Sequence, residues 1–257
     1  MNGINVLLAV MIVGSFLVAI ALHELGHALM AGWLGDTTPR AEGRQTLSLP
    51  AHIDPVGTLM CVVLALQVVI APAMGLGWGK PVKPDPWKMR VGPNTGVFIV
   101  ACAGPIFSLL IGLLTAFIAH YTAPFLTGNI YIVRVLQLLI VFASVNIGLA
   151  IFNVIPLYPL DGYQVLYTLL PSKQAVQFAK SAPYGQIAIL ALFFLLPFLA
   201  TLAGLGSFPL FRLSYYIWLG GMNLVSLVVG NIPITPGLPL MPLDFGIPIN
   251  IVSLYML

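Results

Sequence analysis

The sequence predicts an all-α polytopic membrane protein, a bundle of five to six transmembrane helices with a re-entrant or strand-like element between the first and second full spans. Three observations predict it. The 257-residue chain is 60% hydrophobic and only 7% charged, whereas a soluble domain carries about a quarter charged residues. Its apolar residues fall in long blocks, several near the ~20 residues that cross a bilayer. Proline- and glycine-rich polar stretches separate those blocks. The length leaves no room for a large soluble domain. Residues 1–257 therefore read as a single transmembrane domain, with a core at about 4–170 and C-terminal helices with a proline-rich tail at about 184–257.

The first block, Ile4 to Leu34, is too long for the core of a cleaved signal and reads as a retained span. Gly35-Asp36 forms its exit, and a polar stretch to Pro55 follows. The next block, Val56 to Trp78, is interrupted by Pro72, Gly75 and Gly77. It leaves roughly fifteen residues of clean helix, short for a span and suited to a partly inserted element. A basic loop with Lys80, Lys83, Lys88 and Arg90 is too rich in proline to be helical. Val97–Ala119 and Ile130–Ile155 read as the second and third spans. Tyr184–Leu205 reads as the fourth, with Pro197 as its kink, and Leu213–Val229 as the fifth. Pro233, Pro236, Pro239 and Pro242 recur every third residue, which suits a polyproline II path. No internal repeat is visible.

Basic residues set the expected orientation. With the end of the first helix in the cytosol and no net crossing by Val56–Trp78, Arg40, Arg44, Lys80, Lys83, Lys88, Arg90, Lys173 and Lys180 all lie inside. Only Arg134 and Arg212 then lie near the outer face. The expected location is a cell membrane, multi-pass. The +3 net charge carries no nucleic-acid signal. Cys61 and Cys102 lack metal or redox spacing and read as packing residues.

Inside the first block lies His23-Glu24-Leu25-Gly26-His27. With four histidines and two glutamates in the chain, such an H-E-x-x-H arises by chance in roughly 5 of 10,000 such sequences. Residues i and i+4 share a helix face, so both imidazoles can reach one metal ion, and Glu24 can act as a base toward water there. Ionisable groups at membrane depth carry a cost that marks function. His27 lies about eight residues before the end of the block, or roughly 12 Å, which puts the site nearer the cytosolic side.

A catalytic zinc site usually has three protein ligands. Among five aspartates, Asp36, Asp54 and Asp85 lie in polar loops and Asp244 in the tail. Asp161 sits in Pro156-Leu157-Tyr158-Pro159-Leu160-Asp161-Gly162, at a broken span end. It is the favoured third ligand, with capping of a short helix Tyr163–Leu170 as the competing role. Asn153 reads either as an oxyanion donor or as a helix–helix hydrogen bond. His52 and Asp54 read as turn-fixing residues before a metal or substrate role, and His120 as interfacial.

These residues carry a resemblance. The chain resembles the site-2 protease family of intramembrane zinc metalloproteases, in its compact bacterial and archaeal branch without a PDZ domain. The match rests on His23 to Ala28 and Asn153 to Gly162, and extends to Ala51–Thr58, Gly77–Val82 and Ala103-Gly104-Pro105. It implies His23, His27 and Asp161 as ligands of one Zn2+ per chain, and Glu24 as general base. It also implies a transmembrane protein substrate cut within the bilayer, as in regulated intramembrane proteolysis, with Gly77–Val82 near the substrate groove. Related sequences often carry Asn where this chain has Ser108, and Gly-Arg where it has Tyr163-Gln164. Other readings are an inactive homologue that binds membrane segments, a zinc transporter, and a structural zinc site.

Overall fold

The computed structural model describes residues 6–66, 74–125, 130–230, 251, 255 and 256. Eleven α-helices occur among them: α1 (Val6–Trp33), α2 (Thr38–Ala41), α3 (Leu49–His52), α4 (Pro55–Leu66), α5 (Pro93–Thr122), α6 (Ile130–Asn153), α7 (Asp161–Leu169), α8 (Ser172–Ala179), α9 (Gly185–Leu190), α10 (Leu196–Leu202) and α11 (Leu213–Val229). Four helical stretches are long and apolar enough to cross a membrane: Val6–Trp33, Pro93–Phe125, Tyr131–Asn153 and Ser172–Leu202. The 17 residues of α11 span roughly 26 Å, close to the hydrocarbon thickness. The all-α polytopic architecture expected from composition is the one found.

The elements differ from the sequence reading in instructive places. Helix α5 starts four residues early because Pro93 suits a first-turn position, where a missing N–H costs nothing. The stretch expected from Tyr184 is already helical from Ser172, through α8 and a 3₁₀ turn at Ala182–Tyr184. Its irregularity is a π-helical turn at Ala191–Leu195, directly before Pro197. Proline cannot donate to the Phe193 carbonyl, and the widened turn absorbs that loss ahead of the ring.

The described part of α4 has 12 residues, about 18 Å, which is short of a crossing. Ile53 pairs antiparallel with Gly79, and the Lys80 amide donates to the His52 carbonyl at 2.8 Å. The two ends of residues 54–78 therefore lie side by side. Whatever depth the segment reaches, it returns to the face it left. The returning Met74, Leu76 and Trp78 are fully buried. Pro72 and the proline-rich tail fall outside the described residues.

Helices α1, α5 and α6 pack mutually, and α11 packs on α5 and α6. Buried Gly112, Ala116 and Ala119 of α5 allow close approach to α6. At the C-terminal end of α1, Arg90 N donates to Leu34 O at 2.9 Å. Asp85 N donates to Asp36 Oδ2 at 2.7 Å, and Lys88 Nζ donates to Thr38 Oγ1 at 2.8 Å. The basic loop thus lies against the exit of α1. At the other end His120 Nδ1 donates to Val229 O at 2.7 Å, joining α5 to α11. Trp33 (77% exposed) and Trp87 (84%) flank the first end, Phe125 (81%) and Tyr131 (80%) the second, the places where aromatic side chains meet a membrane interface.

This topology predicts that single cysteines at Arg40 and Lys88 react with a membrane-impermeant maleimide from the same face, and a cysteine at Tyr131 only from the opposite face. Labelling of positions 40 and 88 from opposite faces would sink it.

Candidate metal centre

The middle of α1 is an uninterrupted helix without proline, so His23 and His27 project from one face. Both are buried, as is Glu24 between them. Behind the imidazoles runs α5 at Ala103-Gly104-Pro105. A Cβ on Gly104 would collide with both rings, so glycine there makes room for them. Pro105 gives the Ala101 carbonyl no N–H and loosens that turn. One residue earlier, the Val100 carbonyl accepts from His27 Nδ1 at 2.7 Å.

The third group arrives from far along the chain. After α6 the backbone makes tight turns, with Leu157 N bonded to Ile155 O and Leu160 N to Leu157 O, both at 2.8 Å. Gly162 presses against the Val154 and Ile155 carbonyls, where a side chain would not fit. That close approach turns Asp161, the first residue of α7, toward α1. Its Oδ2 lies 2.9 Å from His23 Nε2 and its Oδ1 3.1 Å from His27 Nε2. The two Nε2 atoms are 3.2 Å apart. The carboxylate faces the imidazoles and makes no capping bond in α7. Among the described residues, His23, His27 and Asp161 form the one group of three that could hold a metal ion.

The donor set fits a tetrahedral ion. The two Nε2 atoms stand 3.2 Å apart, near the roughly 3.3 Å between ligands about 2.0–2.1 Å from zinc, and one ligand atom from each of the three residues lies within 4.8 Å of the others. The ring chemistry agrees. A carbonyl can only accept, so His27 Nδ1 carries the proton and Nε2 presents its lone pair to the centre. His23 Nδ1 is engaged by Ser108 Oγ at 2.9 Å, so the hydroxyl holds the far nitrogen of that ring.

The centre opens on a cavity of about 310 Å³, lined among others by Glu24, His27, Trp78, Val82, Asn153, Tyr158, Asp161 and Gln164. Glu24 Oε2 accepts the Val82 amide at 3.1 Å, and the Gly79 backbone passes against the same carboxylate. Asn153 ends α6 with one amide hydrogen donated to Leu149 O at 3.0 Å, a bond within its own helix. Asn153 also lines the cavity.

The sequence reading missed Arg44. It placed this residue among loop cations that set orientation, yet the side chain is buried and its Nη2 lies 3.8 Å from Glu24 Oε2. The guanidinium also donates to the Ala51 and Lys80 carbonyls. Losing one partner of a buried ion pair costs about 3–5 kcal/mol. No local pattern marks Arg44; only the pairing of Ile53 with Gly79 brings its partners together. His52 and Asp54 act structurally. His52 Nε2 donates to Thr46 O at 2.7 Å, and burial, helped by the Arg44 charge, pushes its pKa below the ordinary value against the pull of that bond. Asp54 Oδ1 caps α4 at the Val56 and Gly57 amides. Cys61 is buried and Cys102 half-buried, both free.

A polytopic helical bundle with a buried centre of two histidines and one carboxylate defines a narrow class of protein. The chain is 30% identical over 187 residues to YwhC of Bacillus subtilis, named as an inferred zinc metalloprotease, covering 70% of this chain and 78% of that one. It is 26% identical over 189 residues to the similarly named Rip2 of Mycobacterium tuberculosis, covering 72% and 66%. Rip2 of Mycolicibacterium smegmatis is 25% identical over 189 residues, covering 71% and 66%. The chain belongs to the site-2 protease family. No family model matches it, and no solved structure matches it.

Replacing Gly104 by Val drives a side chain into both imidazoles. The variant is expected to retain less than a tenth of the wild-type metal after purification, by elemental analysis. Stoichiometric metal in Gly104→Val would show that the imidazoles do not depend on that space.

Proposed function

We propose that this protein is an intramembrane zinc endopeptidase that hydrolyses peptide bonds within or near transmembrane segments of substrate proteins. The convergence of His23, His27 and Asp161 within 4.8 Å beside a cavity that Glu24 also faces carries this reading. The relatives' names support zinc and proteolysis. The position of His27 supports a submerged site, since it lies six residues before the end of α1 at Trp33, roughly 9 Å at 1.5 Å per residue.

In this reading His23, His27 and Asp161 hold one Zn2+ per chain. Bound there, zinc supplies Lewis acidity toward water and the scissile carbonyl. Glu24 takes a proton from the attacking water and returns it to the departing amine nitrogen. Its hydrogen bond from Val82 fixes the carboxylate for that exchange. The second Asn153 N–H donates to the carbonyl oxygen as it gains charge. Ser108 and the Val100 carbonyl keep both imidazoles turned to the centre. The cavity beside Glu24 admits water, and the extended stretch after Gly79 offers backbone groups to an unwound substrate segment. The protein would lie in the cell membrane with that end in the cytosol, acting in regulated intramembrane proteolysis.

Glu24→Gln is expected to keep its zinc and lose cleavage of a single-span reporter by about 10²–10⁴-fold, while Asp161→Ala loses the zinc as well. A Glu24→Gln protein that still cuts at the wild-type rate would remove the base assignment. Retained zinc in Asp161→Ala would remove the third ligand. Zinc uptake into vesicles that survives Glu24→Gln would favour a transporter.

A further inference from the structure

We propose that Arg44 is a positioning residue that couples the seating of the returning chain at residues 79–82 to the orientation of Glu24. The proposal rests on the reading of Glu24 as the base. Arg44 and Glu24 are each only 5% exposed, and one guanidinium joins three pieces of chain. It donates to Ala51 O before α4 and to Lys80 O on the return, and faces Glu24 Oε2 at 3.8 Å. The same carboxylate oxygen accepts from Val82, two residues beyond Lys80. Carboxylate, guanidinium and return segment therefore close a loop of contacts, and none of the three can shift alone.

The surroundings of Arg44 are built to hold it. Its own amide donates to Pro39 O at 2.8 Å. Gln45 Nε2 donates to Ala28 O, one turn beyond Glu24 on α1, at 2.9 Å. Thr46 O accepts from the buried His52 ring at 2.7 Å. Three successive residues are thus anchored to α2, α1 and α3, which fixes the root of the arginine side chain relative to α1. Arginine suits this place because a planar fork can reach two carbonyls and a carboxylate together, whereas an ammonium is a point charge. The consequence is that Glu24 is aligned when the edge at 79–82 is seated, and misaligned when it is displaced.

The test compares wild type, Arg44→Gln, Arg44→Lys and Glu24→Gln in detergent. The probe is a reporter with one apolar segment of about twenty residues between a fluorescent protein and an affinity tag. Arg44→Gln is expected to lower kcat by about 10–100-fold with KM within about 2-fold and zinc still at one per chain, in the range seen for groups that orient a site from behind. Arg44→Lys is expected to recover part of that loss. A cysteine at Val82 should label with maleimide faster in the Arg44→Gln background than in the Glu24→Gln background. Wild-type kcat in Arg44→Gln, or a loss carried by KM or by zinc, overturns the proposal. If Arg44→Gln does not fold, Arg44→Lys decides: reduced kcat at unchanged KM and zinc supports it, and full kcat overturns it. Equal cleavage by wild type and Glu24→Gln would instead remove the base assignment itself, a different failure from an Arg44 effect that is absent while Glu24→Gln is inactive.

Discussion

A histidine inside an apolar bundle must satisfy two ring nitrogens far from water, and much of this structure follows from doing so twice. Each imidazole directs Nε2 to the shared centre and gives Nδ1 a partner, Ser108 for His23 and the Val100 carbonyl for His27. Those partners require α5 to approach α1 closely at one level. Gly104 makes that approach feasible by omitting a side chain that would meet both rings. Buried polar groups are costly unless paired, so the helix contacts around the centre are fixed by hydrogen bonding and not only by volume.

The same demand reaches Glu24 and its neighbours. A second buried carboxylate beside Asp161 needs compensation, and it arrives from a loop cation and from the backbone of the returning chain. The polar stretch after α1 is therefore part of the site. It supplies Arg44 directly and uses Gln45, Thr46 and His52 to hold it.

What was legible in the sequence tracks how local each signal is. The helices of the bundle were visible as apolar blocks, and Leu213–Val229 was read to the residue, because hydropathy and proline punctuation act over short distances. His23, Glu24 and His27 were visible because their spacing matches a single helical turn. Asp161 was legible by elimination, since an apolar chain has few aspartates to consider. Ser108 was marked only through the family resemblance, and Arg44 as a site residue not at all. Serine and arginine carry no spacing signal, and their partners lie 85 and 20 positions away, at His23 and Glu24. The π turn before Pro197 was missed for a related reason: proline announces a lost donor but not how the helix absorbs it.

The contact between His23 and Asp161 spans 138 positions, and it bears on biosynthesis. Helix α1 is made before α5, α6 and α7, so its two histidines at first have no Asp161 carboxylate to meet. The group of three cannot close until α5, α6 and the turn before α7 have all been made and docked. A nascent or truncated chain ending before residue 161 therefore carries the signature motif without a complete centre. The order of synthesis itself leaves this group of three incomplete until Asp161 has been made.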